Sequence, residues 1–295
     1  MGNAQTKAKW GAADAAIVVA MAAVVPAWSA WLNESQIDEP PAELVAAAER
    51  EAAERGPGSS SNPWATFVRY RPTKPMHLLK GFGTSFAYLA ALDLLVARKG
   101  VDDNARFFVL HALANLAITI AATPDAYKSL LRPLHEPYGR MSILPVYLIA
   151  TLFAYHLTAF KKVPTDEWVH HLLFGGGIGI TGLLNPASQL GNALAFFICG
   201  LPGGLDYAML AAVKEGLMRA NTEKVVNTRL NVWCRAPGLT VVAYAMYIQM
   251  RHAPKPRAMS IPTATLVAAL SVLNGQYYMQ RVVGNTAVKV APPAC

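Results

Sequence analysis

The chain has 295 residues, of which 54% are apolar and 15% are charged, and its formal net charge is +8. Soluble domains carry about 25% charged residues, so this composition excludes an ordinary soluble protein and favours helices in lipid. The basic residues form no cluster interleaved with aromatic side chains, which argues against nucleic-acid binding and favours contact with anionic headgroups. The cysteines Cys199, Cys234 and Cys295 are too widely spaced to predict a metal site or a disulfide framework.

Apolar blocks of membrane length recur along the chain and predict an all-α fold, a polytopic transmembrane helix bundle with seven or eight spans. The N-terminal transmembrane helix is predicted at 12–32, although the two lysines before it also fit a signal peptide and the first residues fit a loose myristoylation pattern. Residues 33–80 are predicted as a polar connection with short amphipathic helices, 81–282 as the rest of the transmembrane bundle and 283–295 as a C-terminal tail. Within the bundle, the spans are predicted at 81–97, 105–122, 142–160, 168–184, 190–213, 237–250 and 260–279.

The charges of the connecting segments predict an orientation for these spans. Basic residues at 7–9, at 98–99, at 161–162 and throughout 214–235 fall on one side if every span crosses, and the positive-inside rule makes that side cytoplasmic. The basic cluster at 251–257 falls on the opposite side and conflicts with the rule. The segment 214–235 is predicted as a polar, basic loop. The short span at 237–250, which precedes the cluster at 251–257, is the crossing that conflicts with the positive-inside rule.

Ionisable side chains are costly inside a bilayer, so each one in an apolar span marks a candidate site. The adjacent pair His170 and His171 lies just inside the helix that begins after Pro164 and Thr165. Adjacent helical positions are about 100° apart, so one imidazole can face the bundle interior while the other contacts a neighbouring helix. A neutral imidazole can accept and return a proton, as acyl transfer requires, which makes both histidines candidate catalytic residues. The alternative is a pair of interfacial histidines that hydrogen-bond a loop.

Three further polar residues are candidates for lipid contact. His111 and Asn115 are four positions apart and therefore share one helix face, and His156 lies in the next predicted span. Each can instead be a partner in an ordinary hydrogen bond between helices.

Small residues and a proline mark the following two spans. Gly175 and Gly179 form a small-xxx-small pair, which either allows a helix to approach closely or leaves room for a lipid chain. Pro202, among the glycines of 200–204, predicts a kink that directs Asp206 at a polar pocket. There Asp206 can orient a histidine or pair with a basic residue; the alternative is a purely structural kink.

Several short motifs together resemble a known membrane family. Tyr155-His156 in one span, followed by DEWVHH at 166–171 at the start of the next, looks like the TLC domain, the membrane domain of ceramide synthases and their relatives. The segments TPDAYKSLLRP at 123–133 and LNGQYY at 273–278 are similar to the linker before that region and to the end of the domain. The resemblance covers about 80–282, so the predicted bundle 81–282 is TLC-like.

The resemblance implies a lipid-handling helix bundle with a central cavity in the endoplasmic reticulum membrane. In ceramide synthases the paired histidines take part in transferring an acyl group from acyl-CoA, and the resemblance assigns that role to His170 and His171. The catalytic members carry a His-Asp motif in the region that follows. This chain has no histidine there, so Asp206 alone can correspond to that motif.

Two functional hypotheses follow. In the first, the chain is an integral membrane protein that binds or processes lipid in an intramembrane cavity, with membrane lipids and acyl-CoA as partners; whether it is an enzyme stays open. In the second, it is a non-catalytic structural subunit of a larger membrane complex or a homo-oligomer, which docks through 33–80 and 214–235. The sequence has no P-loop, GxSxG elbow, HExxH motif or di-iron histidine grouping, so we expect no metal and no cofactor.

Overall fold

The computed structural model describes residues 10–34, 75–101, 103–131, 142–159, 177–179, 189–252 and 261–290. Within these ranges the chain is helical and contains no strand, which confirms the predicted all-α class. The π-helical segments Phe196–Gly200 and Asn231–Arg235 each join two α-helices into a longer helix. In chain order, the α-helices of the described ranges are α1 (Ala12–Ala23), α2 (Val25–Glu34), α3 (Pro75–Arg98), α4 (Asp103–Leu131), α5 (Leu144–Ala159), α6 (Gln189–Ala195), α7 (Leu201–Lys214), α8 (Ala220–Leu230), α9 (Ala236–His252) and α10 (Ile261–Val290).

Four helical stretches in the described ranges are long and apolar enough to cross a membrane, and this is compatible with an integral membrane protein. The predicted seven or eight spans are not confirmed. Among the other candidates, α5 has only 16 residues and α9 has 17, while the second half of α10 is polar from Asn274 onward. The span predicted at 168–184 lies outside the described residues except for 177–179. The four stretches are Ala12–Glu34, Met76–Arg98, Ala105–Leu131 and Gln189–Lys214.

Two helices continue through segments that were predicted as connections. Helix α3 begins at Pro75, inside the predicted polar connection 33–80, because proline is tolerated in the first turn of a helix. Helix α4 continues through Pro124 to Leu131, where the sequence resembled a linker. Its end is held by Asp125, whose carboxylate accepts a hydrogen bond from the Ser142 amide at 2.6 Å. Tertiary contacts thus override the local signals for a helix end.

The predicted loop at 214–235 is wrong. A short turn at 215–219 leads into α8, and the π-helical segment Asn231–Arg235 joins α8 to α9. Four polar residues of this stretch recur at every fourth position and are buried, so they form an internal stripe rather than a solvated surface. The members of the stripe are Glu223, Asn227, Asn231 and Arg235.

Helix α4 lies at the centre of the described bundle, where it packs against α3, α5, α6 and α7, while α9 and α10 pack against each other. The core beside α4 includes Tyr147 of α5, which is fully buried. A Cβ at Gly81 would lie 2.3 Å from the Tyr147 Cζ, so only glycine lets α3 and α5 approach this closely. The central position of α4 places its polar residues between α5 and α7.

Candidate polar site

Three helices bring polar and aromatic rings together inside the bundle. His111 of α4, His156 of α5 and Tyr207 of α7, with Phe107 of α4, form what we call the histidine cluster. The ring centroid of His111 lies 5.0 Å from that of His156 and 4.8 Å from that of Tyr207. The Phe107 ring packs against both histidines, with centroids 4.1 Å from His111 and 5.0 Å from His156. His111 is 5% exposed and His156 is 1% exposed, so the structure brings these two predicted residues together in the interior.

The His111 ring has a defined tautomer. Its Nδ1 lies 2.7 Å from the carbonyl oxygen of Phe107, one turn earlier in α4. A carbonyl oxygen only accepts hydrogen bonds, so Nδ1 carries the proton, and in the neutral ring Nε2 carries the lone pair. A buried imidazole held in this form can accept a hydrogen bond or a proton from a polar group.

An ion pair between a buried carboxylate and a partly exposed guanidinium holds the neighbouring part of α5. Asp93 of α3 accepts two hydrogen bonds from Arg106 of α4, from Nε to Oδ1 at 2.7 Å and from Nη2 to Oδ2 at 2.6 Å. The hydroxyl of Tyr155 on α5 donates a third to Oδ2 at 2.7 Å. Tyr155 directly precedes His156, so this contact among three helices positions the turn of α5 that presents His156 to the cluster.

A second polar array, which we call the polar ladder, connects α7 to the helix formed by α8 and the π-helical segment. The Asn227 side-chain amide donates to Asp206 Oδ1 at 2.8 Å, and the Asn231 amide donates to Asn227 Oδ1 at 2.7 Å. Arg235 Nη1 donates to Asn231 Oδ1 at 3.0 Å. Each amide donates toward the carboxylate and accepts from the guanidinium side, so the dipoles are aligned between two opposite charges. Glu223 also accepts from the Asn227 amide at 3.2 Å.

Asp206, the predicted catalytic aspartate, is thus bonded to Asn227 within the described part of the chain. The other two predicted catalytic residues, His170 and His171, lie outside the described residues. Their arrangement with Asp206 therefore stays a prediction.

Pro202 lies in the first turn of α7, directly after the π-helical segment Phe196–Gly200. The missing N–H of a proline is readily accommodated at such a junction, and π-helical turns often occur at functional sites.

The histidine cluster and the polar ladder meet where α7 approaches α4. A Cβ at Gly204 would lie 3.3 Å from Asn115 Cβ, and a Cβ at Gly203 would lie 3.2 Å from Asn115 Nδ2 and 3.6 Å from Arg235 Nη2. Asn115 therefore faces α7 and the guanidinium, while His111, one turn earlier, contacts His156 and Tyr207. The face of α4 that His111 and Asn115 share joins the two polar arrays.

The glycine pair predicted at Gly175 and Gly179 is described only in part. Gly175 lies outside the described residues. A Cβ at Gly179 would meet no described atom within 4 Å, whereas a Cβ at Gly177 would lie 2.8 Å from Leu270 Cδ1. Within the described residues, the close helix approach is therefore at Gly177, against α10.

Sequence analysis missed Tyr207 of the histidine cluster. It also missed Arg235, because 214–235 was predicted as a loop. Arg235 is 6% exposed, and its guanidinium lies over the Tyr278 ring of α10 at 5.5 Å from the centroid. The signal that could have identified Arg235 is the four-residue spacing of polar residues from Glu223 to Arg235, which places them along one side of a helix.

Comparisons with known protein families, with curated proteins and with solved structures give no match for this chain. The resemblance to the TLC domain therefore stays a prediction from the short motifs. Among the described residues, no group of three or more histidine, cysteine, aspartate or glutamate side chains is placed to hold a metal ion.

Proposed function

We propose that the chain is an integral membrane protein that binds the polar end of a lipid inside its helix bundle, at the histidine cluster. The supporting observation is the convergence of His111, His156 and Tyr207 from three helices. Two of these helices, α4 and α7, belong to stretches long and apolar enough to cross a membrane. Titratable side chains inside a lipid bilayer are costly, so a cluster of them on helices of this kind favours a binding site over simple packing.

The proposal extends to the parts of the chain outside the described helices. Apolar blocks such as 168–184 favour seven or eight crossings, and the resemblance to the TLC domain favours the endoplasmic reticulum membrane. In the catalytic version, His170 or His171 takes the proton from an amine or hydroxyl that attacks the acyl-CoA carbonyl, with Asp206 as orienting partner. The new acyl bond forms, the carbon–sulfur bond breaks, and the same imidazole returns the proton to the departing CoA thiolate.

Binding is tested by measuring the lipid that copurifies with the protein. The full chain is extracted in mild detergent, and its lipid occupancy is measured by native mass spectrometry for wild type, His111→Phe and His156→Phe. Tyr207→Phe removes only a hydroxyl from the cluster, and Tyr244→Phe makes the same change at a side chain that is 65% exposed. We expect lower occupancy in the two histidine variants and in Tyr207→Phe, with unchanged occupancy in Tyr244→Phe. Equal occupancy in all of them refutes the proposal.

Two further results separate the versions of the proposal. An acyl-transfer assay with labelled acyl-CoA and a sphingoid base compares wild type with His170→Ala and His171→Ala, and equal activity in all three rejects the catalytic version. Stoichiometric protein partners without bound lipid in the native mass spectrum favour the alternative, a structural subunit of a larger complex.

A further inference from the structure

Arg235 is a buried guanidinium with most of its donors unused. Among the described residues, its Nη1 donates one hydrogen bond, to Asn231. Its Nε is buried and has no hydrogen-bond partner among them. None of the ion pairs among the described residues involves Arg235. An arginine has five N–H donors, and a buried charge whose donors are unsatisfied is costly. The arrangement therefore indicates an acceptor that belongs beside the guanidinium.

Two buried amides near Arg235 are also incompletely bonded. Asn274 Nδ2, a donor, and Asn115 Oδ1, an acceptor, have no hydrogen-bond partner among the described residues, and both side chains are 1% exposed. An anion can accept from Asn274 Nδ2 and from Asn115 Nδ2, but not from Asn115 Oδ1. Asn115 Nδ2 and Arg235 Nη2 both face the backbone of Gly203, at 3.2 Å and 3.6 Å from the position a Cβ would take. Asn274 lies one turn before Tyr278, on the face of α10 that carries the guanidinium.

We propose that Arg235, Asn115 and Asn274 form a site for an anionic oxygen group, a carboxylate or a phosphate, at the polar end of a lipid. This inference rests on the proposed lipid-binding function and specifies the chemistry of the ligand. The edge formed by Nε and Nη2 is the fork that binds two oxygens of a carboxylate or phosphate side by side. The bond from Nη1 to Asn231 leaves that edge open, and the missing side chain at Gly203 keeps Nη2 accessible.

The acidic residues of the polar ladder make their direct hydrogen bonds and ion pairs with other groups than Arg235. The Asn227 amide donates to Asp206 and to Glu223, and Lys224 pairs with Glu223 at 3.5 Å. Two amides separate these carboxylates from Arg235 along the ladder. The Arg235 guanidinium therefore has N–H donors that no described acceptor uses. An anion is the acceptor that a guanidinium binds most strongly.

The test is a binding titration of the purified full chain in neutral detergent. The probes are tritiated oleate, dioleoyl phosphatidic acid, and methyl oleate, which keeps the acyl chain but lacks the charge. We expect oleate or phosphatidic acid to bind, and Arg235→Gln and Gly203→Ala to weaken that binding by about tenfold or more. Matched controls are Arg229→Gln, an exposed arginine on α8, and Gly83→Ala, where a Cβ would meet nothing within 4 Å; both should bind as wild type does.

The two anionic probes identify the headgroup: tighter binding of oleate indicates a carboxylate, and tighter binding of phosphatidic acid indicates a phosphate. The inference is overturned if wild type binds neither anion, if methyl oleate binds equally well, or if Arg235→Gln and Gly203→Ala bind like wild type. Should Arg235→Gln fail to give a monodisperse protein, Gly203→Ala decides, because it keeps the charge and adds one methyl group. Unchanged anion binding in Gly203→Ala, together with loss of copurified lipid in His111→Phe, would reject this site and leave the histidine cluster supported.

Discussion

The contact of Asp93 with Arg106 and Tyr155 joins α3, α4 and α5 through three hydrogen bonds, and Asp93→Ala removes these three at once. Breaking a buried ion pair by deleting one partner costs about 3–5 kcal/mol, because the remaining charge and hydroxyl lose their acceptor. The Arg106 side chain is 29% exposed and can be rehydrated, whereas that of Asp93 is 6% exposed. We therefore expect the low end of this range, a loss of about 3 kcal/mol in the free energy of unfolding.

The assay is unfolding of the purified protein by sodium dodecyl sulfate in mixed micelles, followed by tryptophan fluorescence. Asp93→Ala, Arg106→Ala and the double variant form a double-mutant cycle, which isolates the interaction between the two side chains. We expect a coupling free energy of about 1 kcal/mol or more, since residues in direct contact are not additive. The control is Glu34→Ala, which removes an exposed carboxylate at the end of α2 and should change stability by less than about 0.5 kcal/mol.

Two outcomes would refute this account of the ion pair. If the double variant loses the sum of the two single losses, Asp93 and Arg106 do not interact in the folded protein. If Asp93→Ala unfolds at the same detergent fraction as Glu34→Ala, the contact among the three helices does not stabilise the bundle.

The same unfolding assay tests two packing contacts. Gly81→Ala should lower the free energy of unfolding by about 1–3 kcal/mol, because the new methyl group overlaps the Tyr147 ring, whereas Gly83→Ala in the same helix has open space and should be neutral or stabilising. Equal effects of the two alanines would show that α3 and α5 are not so close. Asn192→Leu removes the amide that donates to Asp125 Oδ2 at 2.6 Å, so we expect a loss of about 1–3 kcal/mol from the buried carboxylate. Wild-type stability in this variant would contradict the contact.

Local structure was largely predictable, because it depends on composition and on the spacing of near neighbours. The apolar blocks at 12–32 and 190–213 correspond closely to the stretches Ala12–Glu34 and Gln189–Lys214. His111 and Asn115, placed on one helix face by their spacing, are both buried on α4. The predicted catalytic histidines lie outside the described residues, so their role stays a prediction.

Connections were less predictable than helices. Pro75 and the 214–235 segment have the composition of a loop or an interfacial stretch. Pro75 nevertheless begins a helix, and 214–235 is helical except for the turn at 215–219. A polar stripe that faces a neighbouring helix has the same composition as one that faces water. The prediction of 214–235 as a docking loop therefore implies a surface position for Arg235, and only its packing against α7 and α10 shows that it belongs to the interior.

The sequence by itself determined that this chain is helical, that several of its helices are long and apolar enough for a membrane, and that a few polar residues interrupt them. Only the tertiary structure decided which of these residues meet: His111 with His156, Asp93 with Tyr155, and Asp206 with Asn227. Helix formation follows from near neighbours along the chain. Contacts between helices depend on how whole faces pack, which sets the rotation and depth of each helix relative to the others.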